Sequence, residues 1–139
     1  MKKKTSALYR KGRRQLGRIH GARGLEAIDS MADIAPDLAR MVYEFPFAQI
    51  YTRPGLDLKS RQLGTVAALA ALGNGRPQLK AHLHGALRMG WKQQELVELL
   101  MQLAIYAGFP AALNALTAAR EVFAEVAGKS ARPSRKRAT

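Results

Sequence analysis

The segment that decides the fold is LKAHLHGALRMGWKQQELVELLMQLAIYAGFPAALNAL, which runs from Leu79 to Leu116. Its apolar residues recur at spacings of three and four, which is typical of amphipathic helices. Glycines at positions 90 and 108 divide it, because glycine commonly follows the last turn of a helix. The pattern predicts one helix over residues 77–89 and a second over residues 94–107. The second is apolar on most sides, so we expect it to be largely enclosed.

Further helices are predicted on both sides of this segment. A helix over residues 58–72 follows Asp57, whose side-chain oxygen is well placed to cap it. Before it, Pro36 suits the first turn of a short helix, which Pro46 is expected to end. A last helix is predicted over residues 111–127. Its inward-facing residues are predicted to be Leu113, Leu116, Val122 and Phe123.

The composition indicates one all-α domain. The 139 residues fit a single compact core, and 47% of them are apolar but only 6% are aromatic. The sequence has no cysteine, which excludes disulfides, thiolate metal sites and cysteine nucleophiles. No apolar run approaches the ~20 residues of a membrane span, and no signal peptide is evident, so a cytoplasmic protein is the expectation.

The net charge of +13 is concentrated at the ends of the chain. Residues 1–23 contain nine basic side chains and no acidic one, and residues 128–139 contain five and none. Residues 24–127 are nearly neutral, with nine basic and ten acidic side chains. We therefore predict a basic N-terminal arm, partly helical and weakened by Gly12 and Gly17, then a folded helical domain, then a disordered basic tail.

His82 is the first candidate catalytic residue. It lies three residues after Leu79, at the edge of the apolar stripe, whereas His84 shares its face with Lys80 and Arg88. An inward imidazole can serve as a general acid near neutral pH, or it can be a structural histidine bonded within the core. No second histidine joins His82 on its face, so no metal site is predicted.

Two arginines are candidate ligands for a carboxylate. Arg53 follows Tyr51 in a Pro-Gly turn, where its guanidinium can form a bidentate fork. A surface ion pair with Asp57 or with a neighbouring subunit is the alternative. Arg61 has the same two interpretations, with a helix-dipole or salt-bridge role as its alternative.

Two further residues are weighed in the same way. The carboxylate of Glu98 stands among apolar residues and is expected to be partly enclosed, within reach of His82 or an arginine, whereas Glu95 is explained by the helix dipole. Tyr106 precedes Gly108 and is either a substrate contact or part of a helix terminator.

These motifs together resemble the carboxymuconolactone decarboxylase family. The resemblance rests on the loop YTRPGLD (residues 51–57), on the pattern H-x-x-G-A-L-x-x-G (82–90), on E-x-x-E (95–98) and on Y-A-G-x-P-A-A (106–112). The shorter stretch LGRIH (16–20) is similar to an L-G-x-x-H stretch of the decarboxylase branch and selects His20. The thiol-peroxidase branch has C-x-x-C-x-x-x-H and R-E-L, where this chain has Gly75, Gln78 and His82, and Arg61, Gln62 and Leu63. A peroxidatic thiolate mechanism is therefore excluded.

The resemblance implies a bundle with a central antiparallel helical hairpin, and homo-oligomers, trimers or hexamers, with sites near subunit contacts. It implies cofactor-free decarboxylation of γ-carboxymuconolactone, whose unsaturated lactone accepts the electrons left by carbon dioxide. The predicted site comprises His82 and Glu98 as catalytic residues and Tyr51, Arg53, Arg61 and Tyr106 as substrate contacts, with neither metal nor cofactor. The alternatives are a related reaction on another small acid or lactone, and a non-catalytic oligomer whose basic arms bind nucleic acid or other polyanions non-specifically.

Overall fold

The computed structural model describes residues 5–130, which form six α-helices and, within that range, no β-strand. The helices are α1 (Ala7–Asp29), α2 (Pro36–Val42), α3 (Leu58–Leu72), α4 (Arg76–Arg88), α5 (Gln93–Ala107) and α6 (Phe109–Ser130). The predicted all-α, single-domain fold is confirmed. Among the described helices, none combines the length and the apolar character that crossing a membrane requires.

Local signals set the helix boundaries at both ends of α3. Asp57 accepts a hydrogen bond from the backbone N–H of Ser60 at 2.9 Å, which is the predicted cap. Gly73 ends the helix at φ 74°, a conformation that side chains disfavour. The expectation that Pro46 ends the second helix is wrong, because α2 continues into a π-helical segment, Tyr43–Ile50. Its wider turn leaves room for the proline ring.

The helices enclose two apolar clusters. The larger one lies between α3, α4, α5 and α6. The chain reverses at Gly108, so that α6 packs along α5. The largest fully buried side chains of this cluster are Val66, Leu83, Leu96, Leu100 and Val122. The smaller cluster joins α1 to the π-helical segment through Leu16, Ile19, Tyr43 and Phe47. Burying these side chains supplies most of the free energy that stabilises the bundle.

Helix α1 is part of the fold rather than a loose arm. Leu16 and Ile19 are fully buried, and a Cβ at Gly12 would lie 1.8 Å from the carbonyl oxygen of Tyr43. Gly12 is thus a contact point between two elements, where the sequence suggested only a weakened helix. The predicted boundary at residue 23 falls inside α1. At the other end, residues 128–130 continue α6, while residues 1–4 and 131–139 of the predicted arms lie outside the described range.

Apolar side chains at the junction of α5 and α6 are exposed. Ile105, Tyr106 and Phe109 are 77%, 80% and 72% exposed, so α5 is only partly enclosed by its own chain. Leu113, predicted to face inward, is 60% exposed. An exposed apolar surface of this kind is typical of subunit contacts. The trimer or hexamer stays a prediction.

We expect Gly12→Ala to lower the free energy of unfolding by about 2 kcal/mol or more, because the added methyl group has no room beside Tyr43. The matched control is Gly64→Ala in α3, where nothing lies within 4 Å of an added Cβ. That substitution should stabilise the helix by about 0.5–1 kcal/mol. Urea denaturation measures both, and equal effects at the two positions would contradict the close approach at Gly12.

Candidate functional site

Two histidines and a glutamine meet where the two apolar clusters join. The rings of His20, from α1, and His82, from α4, are perpendicular, with centroids 4.6 Å apart. Nδ1 of His82 lies 3.0 Å from Oε1 of Gln62, on α3. An amide oxygen only accepts hydrogen bonds, so this contact places a proton on Nδ1 of His82. The neutral ring then keeps a lone pair on Nε2.

Gly85 makes this meeting possible. It follows His82 by one helical turn, so both face the same neighbours. A Cβ at Gly85 would lie 2.9 Å from the side chain of Ile19, 3.0 Å from Oε1 of Gln62 and 3.2 Å from Cε1 of His20. Any side chain there would push α1 and Gln62 away from α4. The glycine of the H-x-x-G motif therefore has a packing function.

A kink in α1 aims His20 at α4. Gly21 has φ 66° and ψ −163°, a conformation essentially confined to glycine, and it interrupts the helical path directly after His20. A Cβ at Gly21 would lie 2.8 Å from a guanidinium nitrogen of Arg88. The kink thus presents the imidazole to His82 and leaves room for the arginine. The edge of the His20 ring also meets Phe47, with centroids 5.8 Å apart.

Burial keeps both imidazoles neutral. Loss of solvent and, to a smaller extent, the neighbouring His20 together lower the pKa of His82 to about 3. Burial also lowers the pKa of His20 to about 4; the backbone of Ala81 opposes that shift, and the charge of Arg88 adds to it. At pH 7 His82 is therefore an uncharged imidazole, where the sequence had left open that it gains a proton.

Two buried polar atoms of this cluster have no hydrogen-bond partner in the described part of the chain. They are Nδ1 of His20 and Nε2 of Gln62. Buried polar atoms without partners are uncommon in folded proteins and need a specific explanation. The side chain of Gln62 is completely buried, so its free amide group is costly unless another molecule bonds to it.

A pocket of about 510 Å³ begins at His20 and opens between α1, α4 and α6. Its size is in the range that holds small organic acids. His20 lines it, whereas His82 lies behind His20. A ligand in this pocket would meet His20 before His82.

Two predicted ligand residues, Tyr51 in the loop before α3 and Arg61 in its first turn, have structural partners. Arg61 donates from Nε to the carbonyl oxygen of Leu56 at 3.0 Å and from Nη2 to that of Arg53 at 3.3 Å. The Arg53 side chain itself is exposed. Tyr51 stacks on Phe47, with centroids 5.1 Å apart, and its hydroxyl lies 2.7 Å from that of Thr65. Tyr51 therefore supports the wall behind His20 through Phe47.

Two other predicted residues lie on the surface. Glu98 is exposed and accepts a hydrogen bond from Gln94 at 3.0 Å, so the expectation that it is enclosed and within reach of His82 is wrong for the single chain. It shares the exposed face of α5 with Glu95 and Gln102. Tyr106 is 80% exposed. Neither residue contacts an imidazole within residues 5–130.

The structure adds His20 and Gln62 to the site. His20 is separated from His82 by sixty-two positions, and the only sequence signal for it is the five-residue stretch LGRIH. Gln62 stands in the R-Q-L sequence where the thiol branch has a carboxylate. That substitution indicates a change of chemistry, but only the folded chain shows that its amide bonds to His82.

The fold and the site together define a class of small, thiol-free helical proteins with paired imidazoles beside a pocket. The chain belongs to the carboxymuconolactone decarboxylase family, whose sequence model matches residues 36–121. The predicted family is thus confirmed. Helix α1, with His20, precedes the matched range.

Three proteins from other organisms are similar in sequence to this chain. The chain is 35% identical over 111 residues to the 4-carboxymuconolactone decarboxylase of Acinetobacter baylyi, covering 80% of each protein. It is 33% identical over 97 residues to an uncharacterized 15.0 kDa protein of Paracoccus denitrificans, covering 69% of this chain and 72% of that one. It is 26% identical over 89 residues to the nitrosuccinic acid decarboxylase of Metarhizium robertsii, covering 64% and 62%.

The depressed pKa values of His20 and His82 make stability depend on pH. The unfolded chain takes up protons near pH 6.5, whereas the folded rings resist them until about pH 4 and about pH 3. The folded state therefore loses stability as the pH falls below 6.5. We expect the free energy of unfolding to fall by about 2 kcal/mol or more between pH 6.5 and pH 4.5.

Denaturant titrations across this range measure the effect. The double variant His20→Phe, His82→Gln is the control, and its stability should change much less over the same interval. An identical pH dependence in the wild type and the double variant would show that the two imidazoles are not buried as neutral groups.

Proposed function

We propose that this protein is a cofactor-free decarboxylase that acts on a small carboxylated lactone, such as γ-carboxymuconolactone, or on a related acid. The observation that carries the proposal is the pair of neutral, partly buried imidazoles, of which His20 lines a pocket with the volume of a small-molecule site. Two relatives support it, because their names describe the loss of carbon dioxide from 4-carboxymuconolactone and from nitrosuccinic acid.

The reaction needs little from the protein. The bond between the carboxylate and its neighbouring carbon breaks, carbon dioxide leaves, and the electron pair moves into the conjugated carbonyl of the lactone. One proton then adds to carbon, which completes the balance. A nitro group can accept the electron pair in the same way. The protein has to hold the anion, stabilise the developing enolate and deliver the proton.

The histidine pair suits the proton transfer. Nε2 of His82 has a lone pair, and Nδ1 of His20 has no hydrogen-bond partner among residues 5–130, so either ring can bind a proton from solvent. Burial makes a protonated ring here a strong acid that gives up its proton readily. Gln62 keeps His82 oriented through Nδ1. In this role His20, whose pKa is the higher of the two, contacts the substrate and delivers the proton, and His82 packs against its ring.

The roles predicted for Glu98, Arg53, Arg61 and Tyr106 require a partner subunit. Within one chain, none of them bonds to or stacks on either imidazole. The exposed apolar side chains near Tyr106 offer a surface for such a subunit. We propose an oligomer in which these residues approach the site of a neighbouring chain.

Turnover of γ-carboxymuconolactone by the purified protein tests the function. We expect release of carbon dioxide in the wild type and a loss of kcat of about 100-fold or more in His82→Gln and in His20→Gln, the usual effect of removing proton transfer. Arg120→Gln, an exposed change on α6, is the control and should retain full activity. Folding is checked by the melting temperature at pH 7. Wild-type rates in both histidine variants would refute the assigned roles.

A second candidate function rests on the solvent-exposed face of α1. Lys11, Arg14 and Arg18 are exposed at spacings of three and four, and they form a cationic stripe. Such a stripe gives sequence-blind affinity for polyanions. The triple change of these residues to Gln should reduce the slope of log affinity for duplex DNA against log salt by about 2–3. An unchanged slope would remove the stripe from any such function.

A further inference from the structure

The pocket beside His20 has an excess of positive charge. Its lining contains Arg23, Lys80, Arg88 and Lys129, and a single carboxylate, that of Glu125. A concave surface of one sign raises the local concentration of oppositely charged ligands. One of these cations is already paired within the fold, and the others are available to a ligand.

Glu125 is satisfied by the fold. It accepts a hydrogen bond from Nζ of Lys80 at 2.7 Å, and its other oxygen lies 2.7 Å from Nε2 of His84. Lys80 lies 3.1 Å from Glu121 as well. These partners lower the pKa of Glu125 to about 2, so the carboxylate stays ionised and paired. The network ties α4 to α6 and occupies Lys80.

The other three cations are not used in this way. Within residues 5–130, the ion pairs include none of Arg23, Arg88 and Lys129. All three are exposed at the pocket. They come from α1, α4 and α6, so the fold brings together charges that are distant in sequence. Guanidinium groups bind carboxylates through two parallel hydrogen bonds, which suits small organic acids.

The guanidinium group of Arg88 lies beside the kink in α1. The kink at Gly21 passes beside its guanidinium group, and an added Cβ would lie 2.8 Å from one nitrogen and 3.2 Å from the central carbon. Gly21 adopts a conformation that other residues avoid, so a side chain at this position would strain the kink as well as crowd the guanidinium group. His20 precedes Gly21, so the same kink sets the cation next to the imidazole.

We infer that Arg23, Arg88 and Lys129 form the anion-binding site of this pocket, and that its ligand is a small acid with two negative charges. Arg88 and Arg23 bind the carboxylate groups, and Lys129 attracts the anion at the entrance. This inference rests on the proposed function and names the residues that hold its substrate. It assigns carboxylate binding to residues other than Arg53 and Arg61.

Succinate is a suitable probe, because it is a dianion without a group that accepts the electrons of a leaving carboxylate. Its binding therefore does not depend on turnover. Butyrate, with the same number of carbon atoms and one charge, is the matched ligand control. Titrations at pH 7 are followed by the ring signals of His20 and His84 in carbon–proton NMR spectra. We expect saturable succinate binding and at least 10-fold weaker butyrate binding.

The variants identify the cations. Arg88→Gln and Arg23→Gln should each weaken succinate binding 10-fold or more, and Lys129→Gln about 3-fold. Gly21→Ala should also weaken it, by displacing Arg88. Arg120→Gln, at an exposed site on α6 outside the pocket, is the matched control and should bind as the wild type does. Melting temperatures verify that each variant is folded.

Three results would overturn the inference. These are a wild type without saturable succinate binding, an Arg23→Gln, Arg88→Gln double variant that binds normally, and a loss of binding in Arg53→Gln that exceeds the loss in Arg88→Gln. Failure of this inference can be distinguished from failure of the proposed function. A protein that decarboxylates its lactone but fails these tests holds the anion elsewhere, and one that binds succinate without turnover retains the site and lacks the reaction.

Discussion

The structure depends on the close approach of α1, α3 and α4 at Gly85. Three side chains from two other helices lie within about 3 Å of where its Cβ would be, so the bundle closes only around a residue without a side chain. This contact joins the two apolar clusters. His20 and Gln62, which both contact His82, lie beside this glycine. The packing of these three helices and the contacts of His82 therefore both depend on Gly85.

The same contact determines the electrostatics of the site. Partial burial of the two rings lowers their pKa values, so the uncharged form of each is favoured at pH 7. An ionised carboxylate in place of Gln62 would favour the protonated form of His82, whereas an amide orients the ring without adding charge. Because the sequence has no cysteine, no thiolate can be generated here. The amide of Gln62 instead contacts an uncharged imidazole.

Much of the fold could be predicted from the sequence, because local signals determine it. The bounds of α3 follow from the Asp57 cap and from Gly73, and α5 ends at Gly108 as predicted. The π-helical segment could not be predicted, because proline normally ends a helix. Only the folded chain, in which this segment packs on α1, shows that the helical path continues past Pro46. The enclosure predicted for Glu98 rested on its apolar neighbours in sequence. Its helical register with Glu95 and Gln102 is the better guide, because these three residues share the exposed face of α5.

The site was less predictable than the fold for a physical reason. The inward position of His82 follows from helical spacing, but its partners lie on two other helices, and their approach depends on Gly21 and Gly85. The cationic side chains of the pocket are likewise distant in sequence. Periodicity shows which side of a helix faces the interior. It does not show which residues of other helices meet there.

The most direct test of this account is a long-range nitrogen–proton NMR spectrum of the histidine rings at pH 7. The account predicts that His20 and His82 are both uncharged, that His82 carries its proton on Nδ1, and that the two rings show mutual proton–proton contacts. Protonated rings, tautomers averaged as in a solvent-exposed imidazole, or the absence of contacts between the rings would contradict it.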